Sequence, residues 1–168
     1  MAHFIEVPLE KEYFVWSVPE LSDNDLWKVI QEFGGLGRRH LHKDLDGDHF
    51  SFSIKGKNGG YCDFAIDNSE ALSPDLPEGR KQIEFFLDRL GAVPQTFFCI
   101  EMIQPIESVL LAIEFVKKFQ RYFPQSVFDP CDKIEHMVIG DDIQRIGLDP
   151  SLVEQKPQSL RWGNWENW

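Results

Sequence analysis

The sequence predicts one α+β domain, built on a largely antiparallel sheet that includes a β-meander and carries three main helices. The chain of 168 residues is long enough for one hydrophobic core and short for two. Residues 96–103 are a run of β-forming side chains that leads directly into a long apolar helix. Asp46-Gly47 separates two segments of alternating polarity, as in a β-hairpin. We place the domain at residues 1–154 and a Trp-rich C-terminal tail at residues 155–168.

Residues 96–103 and the helix after them form the predicted centre of the fold. The strand (TFFCIEMI) contains no Gly or Pro, which is typical of a central strand covered on both faces. Pro105 suits the first helical turn, and Pro124 ends the helix. Its apolar positions keep helical spacing, and they are Ile106, Val109, Leu110, Ile113, Val116 and Phe123.

The N-terminal part of the chain predicts two short strands and a helix. Residues 3–9 and 12–18 read as strands, and the neighbouring Pro8 and Pro19 indicate a position near a sheet edge. Ser22 caps the helix that follows, which presents Leu26, Trp27, Val29, Ile30 and Phe33 to the core and ends at Gly34-Gly35.

The meander begins with the hairpin around Asp46-Gly47. A two-residue turn there pairs residue 45 with 48, and so places Lys43 opposite Phe50 and Leu41 opposite Phe52. One face of the hairpin is then largely apolar and the other polar. Residues 56–60 form a second turn, and residues 61–67 return as a third strand whose inward side chains are Cys62, Phe64 and Ile66.

The remaining elements are a second helix and a weakly patterned C-terminal part. Residues 78–90 predict a helix that Gly91 ends, with an apolar stripe of Ile83, Phe86, Leu87 and Leu90. Residues 126–129 and 135–139 predict short strands, and Asp149-Pro150 indicates a brief helical turn.

The charge of the chain restricts its partners. Seventeen Lys and Arg against 28 Asp and Glu give a net charge of −11. This balance argues against nucleic acid and against an anionic membrane surface as partners, since both need a basic footprint. A basic protein fits the charge, although solubility alone also explains it. Because the first residues lack a basic segment followed by a long apolar run, we expect no signal peptide and a cytoplasmic location.

Two groups of residues raise the possibility of an enzyme. His40, His42 and His49 share the polar face of the hairpin with Asp44, a set from which zinc takes its ligands. Cys131 precedes His136 by five residues, so a thiolate–imidazole pair is conceivable. A solvated hairpin face explains the histidines more simply, and the acidic neighbours of Cys131 disfavour a thiolate. We therefore expect no metal, no cofactor and no enzymatic activity, and keep a small metal-dependent or thiol enzyme as the alternative.

Clustered carboxylates and the terminal tryptophans are the predicted partner-binding residues. Acidic groups on loops and helix starts suit a surface that meets Lys and Arg of another protein. Trp at intervals of three either packs on the domain itself or anchors a partner. The predicted set consists of Asp129, Asp132, Asp141, Asp142, Trp162, Trp165 and Trp168.

Residues 81–130 contain a helix, the aromatic strand 96–103, the long apolar helix that ends in KKFQRYFP (117–124), and the sequence VFDP at 127–130. In this arrangement they resemble small bacterial immunity proteins. Proteins of this kind protect a cell against secreted polymorphic toxins, including type VI secretion effectors. The resemblance implies a cytoplasmic, non-catalytic protein that binds a cognate toxin, acts as its antitoxin and covers a basic active site. It implies no particular binding residues, oligomeric state or toxin activity.

Overall fold

A seven-stranded antiparallel sheet forms the body of the protein. The computed structural model describes residues 4–32, 37–45, 47–56, 59–67, 75, 77–103 and 105–153. The strands are β1 (Ile5–Glu6), β2 (Glu12–Ser17), β3 (Gly37–Asp44), β4 (Gly47–Lys55), β5 (Tyr61–Asp67), β6 (Thr96–Met102), β7 (Ser126–Asp129), β8 (Val138–Ile139) and β9 (Ile146–Gly147). The helices are α1 (Asp23–Gln31), α2 (Pro77–Leu90), α3 (Pro105–Tyr122) and α4 (Pro150–Val153). The predicted α+β fold with a mainly antiparallel sheet is confirmed.

The strand order is β3-β4-β5-β6-β2-β7-β8, and β1 pairs in parallel with β9 outside this sheet. The order places β2 between β6 and β7, so the expectation of an edge position for this strand was wrong. Pro8 and Pro19 lie outside the six residues of β2, and no ladder hydrogen bond is lost to them. β1 is also shorter than the predicted strand at residues 3–9.

One face of the sheet carries the main hydrophobic core beneath α1 and α3. The core includes aromatic side chains that contact one another across strands and helix, among them Phe64 and Phe115, whose ring centroids lie 4.5 Å apart. Within α3 the predicted stripe is buried at Ile106, Val109, Ile113 and Val116. The start of α3 is fixed to β5, because the Ser108 hydroxyl accepts a 2.8 Å hydrogen bond from the Tyr61 N–H.

Helix α1 begins at the predicted cap. The Ser22 side chain accepts a hydrogen bond from the Asp25 N–H, and the Asp25 carboxylate accepts one from the Ser22 N–H, which forms a capping box. Leu26, Val29 and Ile30 are buried as predicted. Phe33, Gly34 and Gly35 lie outside the described residues.

Helix α2 covers part of the opposite face of the sheet. Phe86 packs there with Trp16 of β2 and Val127 of β7 in a second, smaller core. Leu87 is 50% exposed, so its predicted place on the buried stripe was wrong, and Phe85 packs against this core instead. Gly91 ends the helix with a φ of +74°, which a residue without Cβ adopts freely.

Strand β6 lies in a part of the sheet where α2 does not completely cover the second face. Its side chains alternate between buried and half-buried along the strand, so β6 is completely covered on one face only. The expectation of a strand covered on both faces was wrong for this reason. Glu101 points to the less covered face.

The hairpin of β3 and β4 forms, with its pairing shifted by two positions. Asp44 pairs with Gly47, Lys43 with Asp48 and Leu41 with Phe50, so that residues 45–46 connect the strands. The positive φ of +121° at Gly47 occurs at the first residue of β4, not in the turn as predicted. Because the shift is two positions, the described side chains of the hairpin stay on their predicted faces.

The last described part of the chain consists of short elements. β7 matches its prediction, whereas residues 135–139 form a 3₁₀ turn (Ile134–His136) followed by the two-residue β8. The predicted helical turn is present as α4. The Asp149 side chain accepts a 2.9 Å hydrogen bond from the Ser151 N–H at its start. Among the described residues, no helix has the length and apolar character needed to cross a membrane. The tail at 155–168 lies outside the described residues.

Candidate functional site

Three carboxylates lie side by side on the less covered face of the sheet. Glu12 of β2 is directly opposite Glu101 of β6, and Glu101 is directly opposite Asp63 of β5. Directly paired residues of antiparallel strands point to the same face, with Cβ atoms about 5 Å apart. We call Glu12, Glu101 and Asp63 the acidic row. The acidic row lies at the start of β2. Trp16, near the other end of β2, packs against α2 together with Val127 of β7.

The environment of the acidic row makes its negative charges unfavourable. Partial burial, followed by the charges of Asp63 and Glu12, raises the pKa of Glu101 above its ordinary value. Partial burial also raises the pKa of Asp63, although a hydrogen bond from Tyr61 and the nearby His40 lower it somewhat. Like charges directly opposite one another destabilise a sheet. A cation placed over the row would relieve this repulsion.

The neighbours of the acidic row are mostly unable to neutralise it. Phe14, Cys99 and Ala65 occupy the next row along the same face, two residues further along each strand. Burial, together with Glu12 and Glu101, raises the pKa of Cys99 to about 12, so this thiol stays protonated. Among described side chains the ion pairs are Lys118 with Glu32 and Arg145 with Asp142, and neither involves the acidic row. The row is suited to binding a positive group from another molecule.

Asp129 is not the surface carboxylate that the sequence predicted. Its residue is 1% exposed, and its Oδ1 accepts a 2.8 Å hydrogen bond from the Asp132 N–H. Burial raises its pKa to about 6, and the charge of Asp132 acts in the same direction. The nearby Trp16 side chain lowers the pKa of Asp129 slightly. The buried indole N–H of Trp16 nevertheless has no described group in hydrogen-bond geometry. Asp129 shapes the turn after β7 and does not present its charge to a partner.

The other predicted aspartates are exposed, but two of them are engaged within the chain. Asp141 accepts a 3.2 Å hydrogen bond from Gln120, and Asp142 pairs with Arg145 at 3.3 Å. Asp142 also lines a cleft of about 180 Å³ together with Arg89 and His136. Asp132 is exposed and adopts a φ of +59° in the turn that Asp129 stabilises. Trp162, Trp165 and Trp168 lie outside the described residues, and their role stays a prediction.

The hairpin histidines contact serines on the partner strand. His42 Nε2 lies 2.7 Å from the Ser51 hydroxyl, and His40 Nε2 lies 3.4 Å from that of Ser53. Both contacts are diagonal, because His40 pairs directly with Ser51 and His42 with His49. Within the described residues, no three His, Cys, Asp or Glu side chains form a group that could hold a metal ion. The side chain of His49 is outside the described part.

Cys131 has the opposite of the environment that a catalytic thiol needs. Burial raises its pKa, and the Asp129 charge raises it further, while Lys133 lowers it less. A nucleophilic cysteine requires positive neighbours that favour the thiolate. The thiol alternative therefore gains no support from the described surroundings of Cys131.

Comparison with known proteins finds no family model, curated protein or solved structure that matches this chain.

The acidic row was missed because its members are far apart in the sequence. Glu101 was visible as a lone carboxylate inside an otherwise apolar strand, which is an unusual position for a charge. Its neighbours, however, depend on the strand order β5-β6-β2, and β2 was expected near an edge. With that expectation, nothing placed Glu12 beside Glu101.

Proposed function

We propose that this protein is a non-catalytic binding protein that covers a basic surface of another protein with its acidic row. The observation that carries the proposal is the direct juxtaposition of Glu12, Glu101 and Asp63 across three adjacent strands. The fold holds these charges against their mutual repulsion. A partner that supplies Lys or Arg side chains would lower the energy of the row, and complementary charges would speed its association.

The acidic row is a better candidate than the predicted aspartates. Asp141 and Asp142 already have hydrogen-bonding or ionic partners within the chain, and Asp129 is buried. The row lies on strands in the middle of the sheet, a rigid support for an interface. Phe14, half-buried in the next row and packed near Phe97 with ring centroids 6.2 Å apart, adds apolar area beside the charges.

The partner that we propose is a basic protein toxin or effector. The resemblance to bacterial immunity proteins supports this class, and the net charge of −11 supports a basic partner. In this role the protein resides in the cytoplasm and neutralises the toxin by covering its active site. Toxins of polymorphic and type VI secretion systems belong to this class.

Co-expression tests the proposal in cells. The product of the gene immediately upstream is the candidate toxin, and wild-type protein should prevent the growth arrest that it causes. Glu12→Lys, on the exposed end of the acidic row, should abolish protection and co-purification. Glu84→Lys on α2 makes the same charge change at an exposed position away from the row and should keep both.

Two outcomes contradict different parts of this proposal. If the wild-type protein neither binds the upstream product nor protects against it, the toxin partner is wrong. If it protects and both lysine variants protect equally, the partner is right and the acidic row is not its binding site. Circular dichroism of each purified variant confirms that the fold is retained.

A further inference from the structure

Strand β3 is one edge of the sheet and carries charge of the opposite sign to the rest of the molecule. Among the described strands it pairs with β4 alone, so no described strand lies on the other side of its backbone. Its eight residues are GRRHLHKD, with three basic side chains and one acidic, in a chain of net charge −11. Residues 38–43 are all exposed. An edge of this length offers a row of N–H and C=O groups to an added strand.

The ion pairs between described side chains do not involve the basic residues of β3, which are Arg38, Arg39 and Lys43. Successive residues of a strand point to opposite faces, so Arg38 lies on one face of the sheet and Arg39 and Lys43 on the other. Positive charge therefore flanks the edge on both faces.

Aromatic side chains hold Arg39 in place at this edge. Its guanidinium carbon lies 5.3 Å from the ring centre of Trp27 on α1 and 4.8 Å from that of Phe50 on β4. Contacts of this kind orient a guanidinium and leave its N–H groups able to bind a carboxylate. Leu41, two residues along the same face, is 49% exposed and provides apolar area beside the cation.

We propose that β3 binds an extended, acidic peptide segment of another protein, which adds to the sheet as an eighth strand. Main-chain hydrogen bonds along the edge supply affinity, as in other cases of strand addition. Glutamate or aspartate side chains on alternate positions meet Arg39 and Lys43, and an apolar side chain among them meets Leu41. Strand β4 lies between this edge and the acidic row, and the proposal would hold whether or not the partner is a toxin.

The charge of β3 explains why the added strand is acidic and is not a second copy of this chain. Antiparallel pairing of two β3 strands centred on Leu41 would set Arg39 against Lys43, and like charges opposite one another are unfavourable. Charged residues on an edge also discourage unspecific aggregation. A basic edge that is exposed along residues 38–43 repels basic strands and accepts acidic ones, so it selects its partner.

Binding of a synthetic peptide tests the proposal. The probe is a fluorescein-labelled peptide about ten residues long, enough to span β3. Every second residue is Thr, and the residues between them follow the order Glu, Val, Glu, so that Glu and Val side chains share one face. Fluorescence anisotropy should show saturable binding, and hydrogen–deuterium exchange should show new protection within residues 37–44. The same peptide with N-methyl groups on alternate amides keeps its charge and loses the hydrogen bonds, so its affinity should fall by about tenfold or more.

Matched charge reversals locate the site. Arg39→Glu with Lys43→Glu should weaken peptide binding by about tenfold or more, while Arg80→Glu with Lys81→Glu on α2 should change it by less than about twofold. Absence of binding at about 1 mM peptide overturns the proposal. So does equal binding of the N-methylated peptide, which would show attraction without strand addition. Tighter binding of a single-stranded oligonucleotide at the same residues would also overturn it, since the edge would then be a nucleic-acid site.

Discussion

Asp129 is buried, although the sequence predicts a carboxylate on the surface at this position. It stands in a stretch rich in acidic residues, yet β7 carries it into the interior, where it is 1% exposed. Its carboxylate accepts the Asp132 N–H and so supports the turn in which Asp132 has a positive φ. Burial raises its pKa from 3.8 to about 6 because water no longer solvates the charged form.

The raised pKa of Asp129 predicts a stability that depends on pH. Since the folded protein holds this proton more tightly than the unfolded chain, the contribution of Asp129 favours folding below about pH 4 and is lost as pH rises through about 6. Asp129→Asn keeps the acceptor oxygen and removes the charge. It should raise the free energy of unfolding at pH 7 by on the order of 3 kcal/mol, and change it little at pH 4. Urea unfolding at several pH values measures both, and parallel profiles for the two proteins would refute this role of the carboxyl group.

Ile113 tests the buried face of α3 at the level of a single side chain. It is 4% exposed in the main core, so Ile113→Ala should lower the free energy of unfolding by about 2–5 kcal/mol. Glu114→Ala, at the next position and exposed, is the control and should change it by less than about 0.5 kcal/mol. A loss below about 1 kcal/mol at Ile113 would mean that this residue does not contribute to the core as described.

At the level of elements, α3 and β5 approach each other so closely that one glycine is required. A Cβ placed on Gly60 would lie 2.5 Å from the Glu107 carbonyl oxygen, which belongs to the backbone of α3. The same junction contains the hydrogen bond from Tyr61 to Ser108. The close contact sets how α3 lies on the sheet.

Substitution of Gly60 tests this junction. Gly60→Ala should lower the free energy of unfolding by about 2 kcal/mol or more, because the backbone of the helix has to move. Gly56→Ala is the matched control, since a Cβ there would meet the flexible end of Leu111 at 3.4 Å and the Gly60 carbonyl oxygen at 3.7 Å, which is an ordinary contact distance. Equal thermal denaturation midpoints for the two variants would contradict the close contact at Gly60.

The sequence predicts the elements well where local chemistry decides them. The capping box at Ser22, the stop at Gly91 and the helix between Pro105 and Pro124 follow from signals within a few residues. The position of β2 cannot be predicted from such local signals, because it depends on which strands pair across the sheet. The hairpin shows the same limit: its residues predict the correct faces, while the turn geometry at Gly47 shifts the pairing by two.

At the level of the whole molecule, the fold places an acidic surface and a basic surface at different positions of the sheet. The net charge of −11 does not reveal this difference. The acidic row lies in the middle of the sheet, and a basic edge strand lies at its end. Neither surface was predicted as a site, since each depends on the order of strands that are distant in sequence. The predicted aspartates formed visible clusters in the sequence, but the structure places one inside the protein and gives two others partners within the chain.

The rate of association with the partner tests the acidic row most directly. Stopped-flow or surface binding at several salt concentrations, against the upstream gene product, should show an association rate that falls steeply as salt rises. The reason is that exposed charges are screened beyond about 8–10 Å at physiological ionic strength. Glu12→Gln with Glu101→Gln should lower this rate and flatten its salt dependence, with a smaller effect of salt on dissociation. Asp141→Asn with Asp142→Asn removes the same charge elsewhere and should leave the rate close to that of the wild type. A rate that is independent of salt, or that falls equally in both double variants, would contradict the proposal that the acidic row receives the partner.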